Sequence, residues 1–322
     1  MADASSQAID VQRLREKARS LRLDVLDITT HARSGHPSSS FSCVEIVTAL
    51  YFGGPGMTGL LRYKSDDPHW PERDRFIMSK GHAAPLLYAA LADAGYFSRE
   101  ELYRLRQVDS PVEGHPVQGR LPGIETTTGS LGKGISVGLG HVLGGRLNQL
   151  SYRVYVLLGD GECQEGQIWE AAIAAAHFKA DNLIAIVDYN KYQETGPISR
   201  EMALEPFVQK WQAFGWYVEE VDGHDVGALV EAFQSVSTPV GPMALTPAPS
   251  PEIGRGEPTN TPTPTLTDTH TPTLRAPGQP SVIIAHTVKG KGVSFVEADY
   301  TFHGRALTPE QAAKAREEIL CS

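Results

Sequence analysis

The chain has 322 residues, 41% of them hydrophobic, and its 29 Lys and Arg against 38 Asp and Glu give a formal net charge of −9, a composition that can form a large buried core. This acidic balance, without any Lys/Arg-rich run, argues against a nucleic-acid partner, because such a partner requires positive charge to neutralise its phosphates. Three scattered cysteines, Cys43, Cys163 and Cys321, are too few for a disulfide framework or a Cys-x-x-Cys metal site and favour a reducing compartment.

The first predicted element is an amphipathic helix near the N-terminus. Apolar residues recur at steps of three and four between Val11 and Ile28, and Asp10, Glu16 and Asp24 are interleaved with the basic residues. Those acidic residues favour a packed surface helix over an organelle transit peptide, and the segment lacks the apolar run and cleavage site of a secretory signal. No apolar stretch in the sequence reaches about 18 residues, so we expect no membrane partner and a cytoplasmic protein.

A βαβ unit is predicted between residues 153 and 192. RVYVLLGDGE is an apolar strand that runs into a glycine-rich turn, GQIWEAAIAAAHFKA is strongly helix-forming, and NLIAIVDYNKY has the pattern of a second strand. Elements of these lengths predict two parallel strands with a right-handed crossover. In an open parallel sheet, ligands bind beyond the carboxyl ends of the strands, which is where Asp160 and Asn190 fall.

A change of composition precedes the last predicted strand. Residues 239–280 contain eleven of the chain's 22 prolines and nine threonines, with almost no large apolar residues. Such a segment buries too little surface to offset the entropy of ordering it, so we predict a disordered surface insertion, with a proline-motif docking site as the alternative. The apolar strand SVIIAHTV begins at Ser281 and has to join the earlier sheet. We therefore expect one α/β domain, 1–238 and 281–322, with an open, mostly parallel sheet and helices on both faces.

Asp160 and Asn190 offer a carboxylate oxygen and an amide oxygen at neighbouring strand ends. Hard oxygen ligands suit Mg2+ or Ca2+, and Mg2+ completes its coordination with phosphate oxygens and water. Gly159 and Gly161 would let the backbone approach a diphosphate closely. The Gly-Asp-Gly sequence by itself is equally typical of an ordinary turn after a strand, so both interpretations stay open at this point.

Four histidines in glycine-containing loops give a second signal. His36 lies in SGHPSSS, His82 in SKGHAAP, His115 in EGHPVQG and His303 in TFHGRAL. Such loops hold an imidazole ring at the surface of a cleft, where it binds phosphate or hydroxyl groups or transfers a proton near neutral pH. A single histidine of this kind is more often an ordinary loop residue, but four, together with the candidate site for a cation and a diphosphate, favour a pocket for a polar, phosphorylated ligand. The glycine-rich segment 125–140 indicates either tight helix packing or backbone contact with a ligand.

Taken together, these motifs resemble the N-terminal, diphosphate-binding region of the transketolase family. The matching segments are SGHP (34–37), RFIMSKGH (75–82), GHP (114–116), ETTTGSLGKG (125–134), GDGECQEGQIWEA (159–171), IVDYNKY (186–192), VKGKGVSF (288–295) and HGRALTPEQ (303–311). The resemblance spans about residues 10–238 and 281–320. The last two segments are similar to the form of the family in which this region is a separate subunit.

Residue by residue, the resemblance implies a site for thiamine diphosphate and a divalent cation, Mg2+ or another such as Ca2+. The implied cation ligands are Asp160, Asn190 and the backbone carbonyl of Tyr192. The implied cofactor contacts are His82, Gly129, Leu131, Gly161, Asn190 and His303. The histidines implied around the substrate's hydroxyls and reacting carbonyl are His36, His115 and His303. Glu165 resembles the carboxylate that faces the partner domain and couples the two sites of a dimer.

The implied activity is transfer of a two-carbon ketol unit from a ketose phosphate to an aldose phosphate, a reaction of the pentose phosphate pathway. In this family the glutamate that hydrogen-bonds the cofactor's aminopyrimidine ring belongs to a second domain, which the sequence up to Ser322 does not contain. We therefore expect a separate C-terminal, pyrimidine-binding subunit and a dimer of such heterodimers.

Two other interpretations stay open. The chain could belong to another thiamine diphosphate enzyme, such as a relative of deoxyxylulose phosphate synthase or the first component of a 2-oxoacid dehydrogenase, although the Gly-His-Pro histidines favour a sugar substrate. It could also be a non-catalytic, cofactor-binding scaffold. Folding requires none of Asp160, Asn190, Glu165 and the four histidines, so their joint presence argues against the scaffold.

Overall fold

The computed structural model describes residues 10–237 and 274–321. Within those ranges the strands are β1 (Arg75–Met78), β2 (Val154–Gly159), β3 (Leu183–Tyr189), β4 (Tyr217–Asp222) and β5 (Ser281–His286). The α-helices of the same ranges are α1 (Val11–Ala32), α2 (Pro37–Phe41), α3 (Val44–Phe52), α4 (Ala84–Asp93), α5 (Lys133–Leu147), α6 (Gly166–His177), α7 (Ile198–Glu201), α8 (Phe207–Ala213), α9 (Val226–Ser237) and α10 (Pro309–Cys321).

The described strands form one parallel sheet in the order β1-β2-β3-β5-β4. The predicted βαβ unit is confirmed, because β2 and β3 are adjacent and α6 connects them. Strand β5, which follows the predicted insertion, lies between β3 and β4 and so joins the earlier sheet as expected. Because every strand runs in the same direction, all the carboxyl ends meet at one edge, which we call the carboxyl edge.

Helices cover both faces of the sheet. On β2, Tyr155 and Leu157 pack on the side of α1, α3, α4 and α9, whereas Val154, Val156 and Leu158 pack on the side of α5, α6 and α8. Successive side chains of a strand point to opposite faces. A parallel sheet covered on both faces therefore needs central strands that are largely apolar, as β2 and β3 are, whereas the edge strand β4 carries Glu219, Glu220 and Asp222 and is only partly buried. The predicted fold class is confirmed.

The predicted N-terminal helix is α1. The Asp10 side chain caps it by accepting a hydrogen bond from the Arg13 amide (3.0 Å). Leu14, Leu21 and Val25 are among its buried residues, so the helix packs against the domain as expected. Within the described ranges, no helix combines the length and the apolar character needed to cross a membrane.

Most of the predicted insertion, residues 239–280, lies outside the described residues. Its last part, 274–280, is described: the Pro280 carbonyl accepts a hydrogen bond from the Tyr217 amide (2.9 Å) at the start of β4. On the other side of the gap, the Ser237 carbonyl accepts a hydrogen bond from Arg153 (2.6 Å), directly before β2. Both described ends therefore lie at the amino edge of the sheet, opposite the carboxyl edge.

A buried charged network connects the helices of one face to the loop after β5. Glu45 on α3 pairs with Arg22 of α1 (2.6 Å) and with His224 Nδ1 (3.0 Å). The Val288 amide donates to His224 Nε2 (2.8 Å), so the ring carries its proton on Nδ1 and donates it to Glu45. Burial alone would raise the pKa of Glu45, but Arg22 and His224 outweigh it and lower that pKa to about 2.

Candidate functional site

The carboxyl edge brings Asp160 and Asn190 to neighbouring strand ends, as the sequence predicted. Gly159 of β2 and Asp188 of β3 are register partners, and the Asp160 amide donates to the Asp188 carbonyl (3.3 Å). Asp160 is 1% exposed, and Asn190 is buried as well. Both side chains therefore lie where ligands bind in open parallel sheets.

Asp160 is a buried carboxylate held by backbone amides. Its Oδ1 accepts from the Gly161 amide (2.7 Å), and its Oδ2 accepts from the Lys191 amide. Burial and the neighbouring Asp188 carboxylate raise the pKa of Asp160 to about 7. The buried Lys80 ammonium pairs with Asp188 rather than with Asp160. A divalent cation would supply the positive charge that Asp160 lacks, so this environment fits a metal ligand.

The two other implied cation ligands also present oxygen atoms. Asn190 Oδ1 accepts from the Tyr192 amide (3.1 Å), which fixes the orientation of the side-chain amide. Tyr192 forms an antiparallel bridge with Pro197 in which the flanking residues make the hydrogen bonds, so the Tyr192 carbonyl is directed away from the bridge. No cluster of three or more His, Cys, Asp or Glu in the described part of the chain could hold a metal ion. A set of one carboxylate, one amide and one carbonyl needs no such cluster.

The four histidines predicted from separate loops form one group, which we call the histidine cluster (His36, His82, His115 and His303). The ring centroid of His36 lies 5.3 Å from that of His82, 6.3 Å from that of His115 and 5.3 Å from that of His303. The centroids of His82 and His303 are 5.2 Å apart. His36 directly precedes α2, His82 lies in the turn before α4, His115 lies in the loop before α5, and His303 follows β5.

Burial and nearby cations keep the rings of the histidine cluster uncharged at neutral pH. Burial, with a smaller contribution from neighbouring positive charges, lowers the pKa of His36 to about 4 and that of His303 to about 3. It lowers the pKa of His82 well below its ordinary value and also lowers that of His115. Each neutral ring offers one donor and one acceptor, the combination required to orient hydroxyl groups and to accept a proton.

The glycine-rich segment lies against the histidine cluster. Gly129 has a φ of +138°, and a Cβ at this position would lie 3.1 Å from His115 Cδ2, so the position requires glycine. Leu131 is 37% exposed beside it. Glu165 is also exposed, and a Cβ on Gly132 would lie 2.9 Å from the Glu165 Cβ. Leu131 and Glu165 are therefore neighbours on an open surface next to the cluster.

Two buried lysines that the motifs did not single out lie against the histidine cluster. Lys80 pairs with Asp188 and donates to the Ser39 carbonyl (2.9 Å); burial opposes its charge, but Asp188 outweighs this effect and raises the pKa of Lys80. Lys289 donates to Ser39 Oγ (3.3 Å) and to His303 Nδ1 (3.0 Å). Burial, followed by repulsion from Lys80, lowers the pKa of Lys289 to about 8.

Lys289 provides a test of whether a diphosphate fits this site. The residue is 2% exposed, and its hydrogen-bond partners are a hydroxyl and an imidazole rather than a carboxylate. A buried cation without an anionic partner is destabilising, so an anionic group belongs beside it. A diphosphate next to Lys289, together with a divalent cation on Asp160, would neutralise both charges. The described residues therefore fit the cation-bound diphosphate of thiamine diphosphate.

Glu162 is a further residue that the sequence analysis missed. Its buried carboxylate accepts hydrogen bonds from the Gly132 amide (2.9 Å), the Gly159 amide (3.0 Å) and Ser79 Oγ. Burial raises the pKa of Glu162, and these donors counteract the effect. The carboxylate joins the ends of β1 and β2 to the start of α5. The sequence feature that could have identified Glu162 is its position in the segment GDGE, three residues before Glu165.

Comparison with known proteins adds the following similarities. The family model described as "Transketolase, thiamine diphosphate binding domain" matches residues 14–270. The chain is 37% identical to transketolase of Homo sapiens over 310 residues, which are 96% of this chain and 42% of that protein. It is also 37% identical to the 6-deoxy-6-sulfo-D-fructose transketolase subunit SqwG of Clostridium sp. (strain MSTE9) over 315 residues, 98% of each chain.

Solved structures show the same similarity. Transketolase from Leishmania mexicana superposes with a TM-score of 0.77 and 28% identity, over 95% of this chain and 41% of that one. Transketolase from Campylobacter jejuni subsp. jejuni superposes with a TM-score of 0.78 and 27% identity, over 96% of this chain and 43% of that one. The chain thus spans about two fifths of the length of these proteins and of the human relative, but nearly the whole of SqwG.

Proposed function

This chain belongs to the transketolase family and carries its thiamine diphosphate-binding domain, and on that basis we propose that it is the N-terminal subunit of a transketolase. In the proposed reaction a two-carbon ketol unit passes from a ketose phosphate to an aldose phosphate. The observation that carries the proposal is the histidine cluster, whose His303 contacts the buried Lys289, near the carboxyl edge where Asp160 and Asn190 lie. Rings suited to a hydroxylated substrate lie next to groups that fit a cation and a diphosphate. The comparisons favour none of the alternative interpretations.

The proposed cofactor site follows from the charges at the carboxyl edge. Asp160, Asn190 and the Tyr192 carbonyl would hold Mg2+, or Ca2+ with the same preference for oxygen. The residues proposed to contact the cofactor are His82, Gly129, Leu131, Gly161, Asn190, Lys289 and His303. When bound, thiamine diphosphate supplies a carbon nucleophile that carries the transferred unit, while the protein binds and orients it and excludes water.

His303 would donate a hydrogen bond to a substrate oxygen. Lys289 donates to His303 Nδ1 (3.0 Å), so the neutral ring carries its own proton on Nε2. A Cβ on Gly304 would lie 3.1 Å from His36 Nε2, so glycine at this position lets the His303 loop approach His36 closely. His36, His115 and His303 would thereby bind the hydroxyl and carbonyl oxygens of the sugar and exchange protons with them.

The proposal includes a second polypeptide. SqwG, which matches this chain over 98% of both lengths, is named as a transketolase subunit, and this supports a C-terminal, pyrimidine-binding partner here. Glu165 and Leu131 are exposed beside the histidine cluster, where such a partner would complete the site. We propose a dimer of heterodimers that requires Mg2+ and acts in the cytoplasm on sugars of the pentose phosphate pathway. Light scattering of the co-expressed chains tests the assembly.

A ketol-transfer assay tests the activity. The chain, alone and co-expressed with the candidate C-terminal subunit, is supplied with xylulose 5-phosphate, ribose 5-phosphate, thiamine diphosphate and Mg2+. We expect transfer only with the partner, a loss of about a hundredfold or more in kcat for His115→Ala, and loss of cofactor binding for Asp160→Ala. His69→Ala, an exposed histidine outside the cluster, is the matched control.

A second donor sugar distinguishes an incorrectly proposed substrate from an incorrectly proposed reaction. Because the relative SqwG is named for 6-deoxy-6-sulfo-D-fructose, that sugar is assayed in parallel with xylulose 5-phosphate. Transfer from the sulfosugar alone would correct the donor and keep the reaction. If neither donor supports transfer although the two subunits together bind thiamine diphosphate tightly, the proposed reaction is refuted.

A further inference from the structure

Arg106 lies between two loops of the histidine cluster. Its Nη1 donates to Ser34 Oγ (3.1 Å), two residues before His36. On the other side, its Nε lies 2.9 Å from the point that a Cβ on Gly114 would occupy, directly before His115. The guanidinium group therefore bridges the segment that presents His36 and the segment that presents His115, and Gly114 leaves room for it.

The backbone fixes the position from which Arg106 reaches these loops. Its amide donates to the Val112 carbonyl (2.9 Å), its φ is +59°, and the preceding Leu105 is buried. The neighbouring Arg104 and Arg120 each form an ion pair with a glutamate. Within the described ranges Arg106 has no such ion pair, and its hydrogen-bond partner is the Ser34 hydroxyl. Its charge is therefore available to the histidine cluster.

The groups around the two rings show how far that charge reaches. His36 faces the rings of His82, His115 and His303 and the cations Arg106, Lys289 and Lys80. His115 faces His36 and Arg106. After burial, Arg106 has the largest effect in lowering the pKa of His36 to about 4, and it also lowers the pKa of His115.

We propose that Arg106 is a positioning residue for the proposed ketol transfer, which holds the His36 and His115 loops at one separation and places a positive charge beside both rings. The inference rests on the proposed function. A histidine that binds a substrate hydroxyl and accepts its proton has to be unprotonated at working pH. Arg106 favours that state electrostatically, and its bridge to Ser34 and Gly114 fixes the geometry in which both rings meet the same substrate.

The first test is independent of activity. Ring-proton NMR titration of the isolated chain compares the parent with Arg106→Gln, Arg106→Lys and Arg120→Gln, the last being a charge-matched control in the same loop. We expect Arg106→Gln to raise the His115 titration midpoint by about half a pH unit, Arg106→Lys to restore it, and Arg120→Gln to leave it unchanged. No change in Arg106→Gln, or an equal change in Arg120→Gln, would overturn the inference.

The second test measures the pH–rate profile of the complex with the C-terminal subunit. Arg106→Gln should shift the acidic limb of the kcat profile to higher pH by about the same half unit. Arg106→Lys should leave the limb in place but lower kcat, because a lysine cannot bridge both loops.

If Arg106→Gln does not fold, Gly114→Ala displaces the guanidinium while keeping the charge and should lower kcat in the same way. A profile identical in all variants would refute the positioning role, whereas absence of transfer by the parent would refute the proposed function and leave the NMR result standing.

Discussion

The ion pair between Glu45 and Arg22 makes the free energy of unfolding depend on pH, and Glu45→Gln removes this dependence. The pKa of Glu45 is about 2 in the folded chain, against an ordinary value of 4.5; this difference corresponds to about 3 kcal/mol at neutral pH. Because the folded-state pKa is depressed, the contribution is complete above about pH 5 and is lost as pH falls through 2. We expect Glu45→Gln to lower the free energy of unfolding by about 3 kcal/mol at pH 7 and by less than half of that at pH 3.

Urea unfolding of the chain without cofactor, followed by circular dichroism at several pH values between 3 and 7, measures this difference. Glu220→Gln is the matched control, because Glu220 also pairs with a histidine, His286 (2.8 Å), but both side chains are more than two fifths exposed. An exposed pair of this kind contributes about 1 kcal/mol or less. If the parent and Glu45→Gln lose stability in parallel between pH 5 and 3, or if the control has an equal effect, the electrostatic account of this pair is wrong.

Three further predictions concern the candidate site. Lys289→Met removes a buried charge that has no carboxylate partner, so it should raise the thermal midpoint of the cofactor-free chain and weaken thiamine diphosphate binding by about tenfold or more in calorimetry. Lys80→Met leaves Asp188 buried and unpaired and should lower the free energy of unfolding by about 3–5 kcal/mol in urea, an effect that adding Asp188→Asn should reduce. Gly129→Ala places a Cβ at a φ of +138° and 3.1 Å from the His115 ring, so it should reduce stability by about 1–3 kcal/mol and lower ketol transfer, with the fold retained by circular dichroism.

The positions of the two strand ends could be predicted, because the hydrophobic pattern identifies the strands and the helical connection between them determines how they pair. Two apolar runs flank a helix-forming segment between residues 153 and 192, and parallel pairing follows from the short connection through one helix. That pairing alone places Asp160 and Asn190 at one edge. The grouping of the histidine loops had a different origin, because no periodicity connects His36 with His303. Their glycine neighbours indicated loops, and their number, together with the candidate cation and diphosphate site, favoured one pocket, to which the family resemblance then assigned roles.

The burial of the two lysines beside the histidine cluster could not be predicted, because loops lack the periodic apolar pattern from which burial in a helix or strand is inferred. In the segment VKGKG, Lys289 is 2% exposed while the side chain of Lys291, two residues later, is 40% exposed. Their local sequences are nearly identical, and tertiary packing alone decides which of them turns inward. Arg106 is a similar case, since its contacts with Ser34 and Gly114 depend on how its own loop folds back and meets the loop before α2.

The opposite charges of Lys289 and Asp160 remain apart in the folded chain. Lys289 donates to a hydroxyl and an imidazole, and Asp160 accepts from two backbone amides, whereas Lys80 and Asp188 are paired directly with each other. Two buried charges without counter-ions destabilise the chain. A divalent cation and a diphosphate relieve both charges only when they enter together, because each alone would add a new charge to the site. The free energy released in this way stabilises the folded chain by mass action, so the same charge imbalance that destabilises the chain favours joint binding of cofactor and metal.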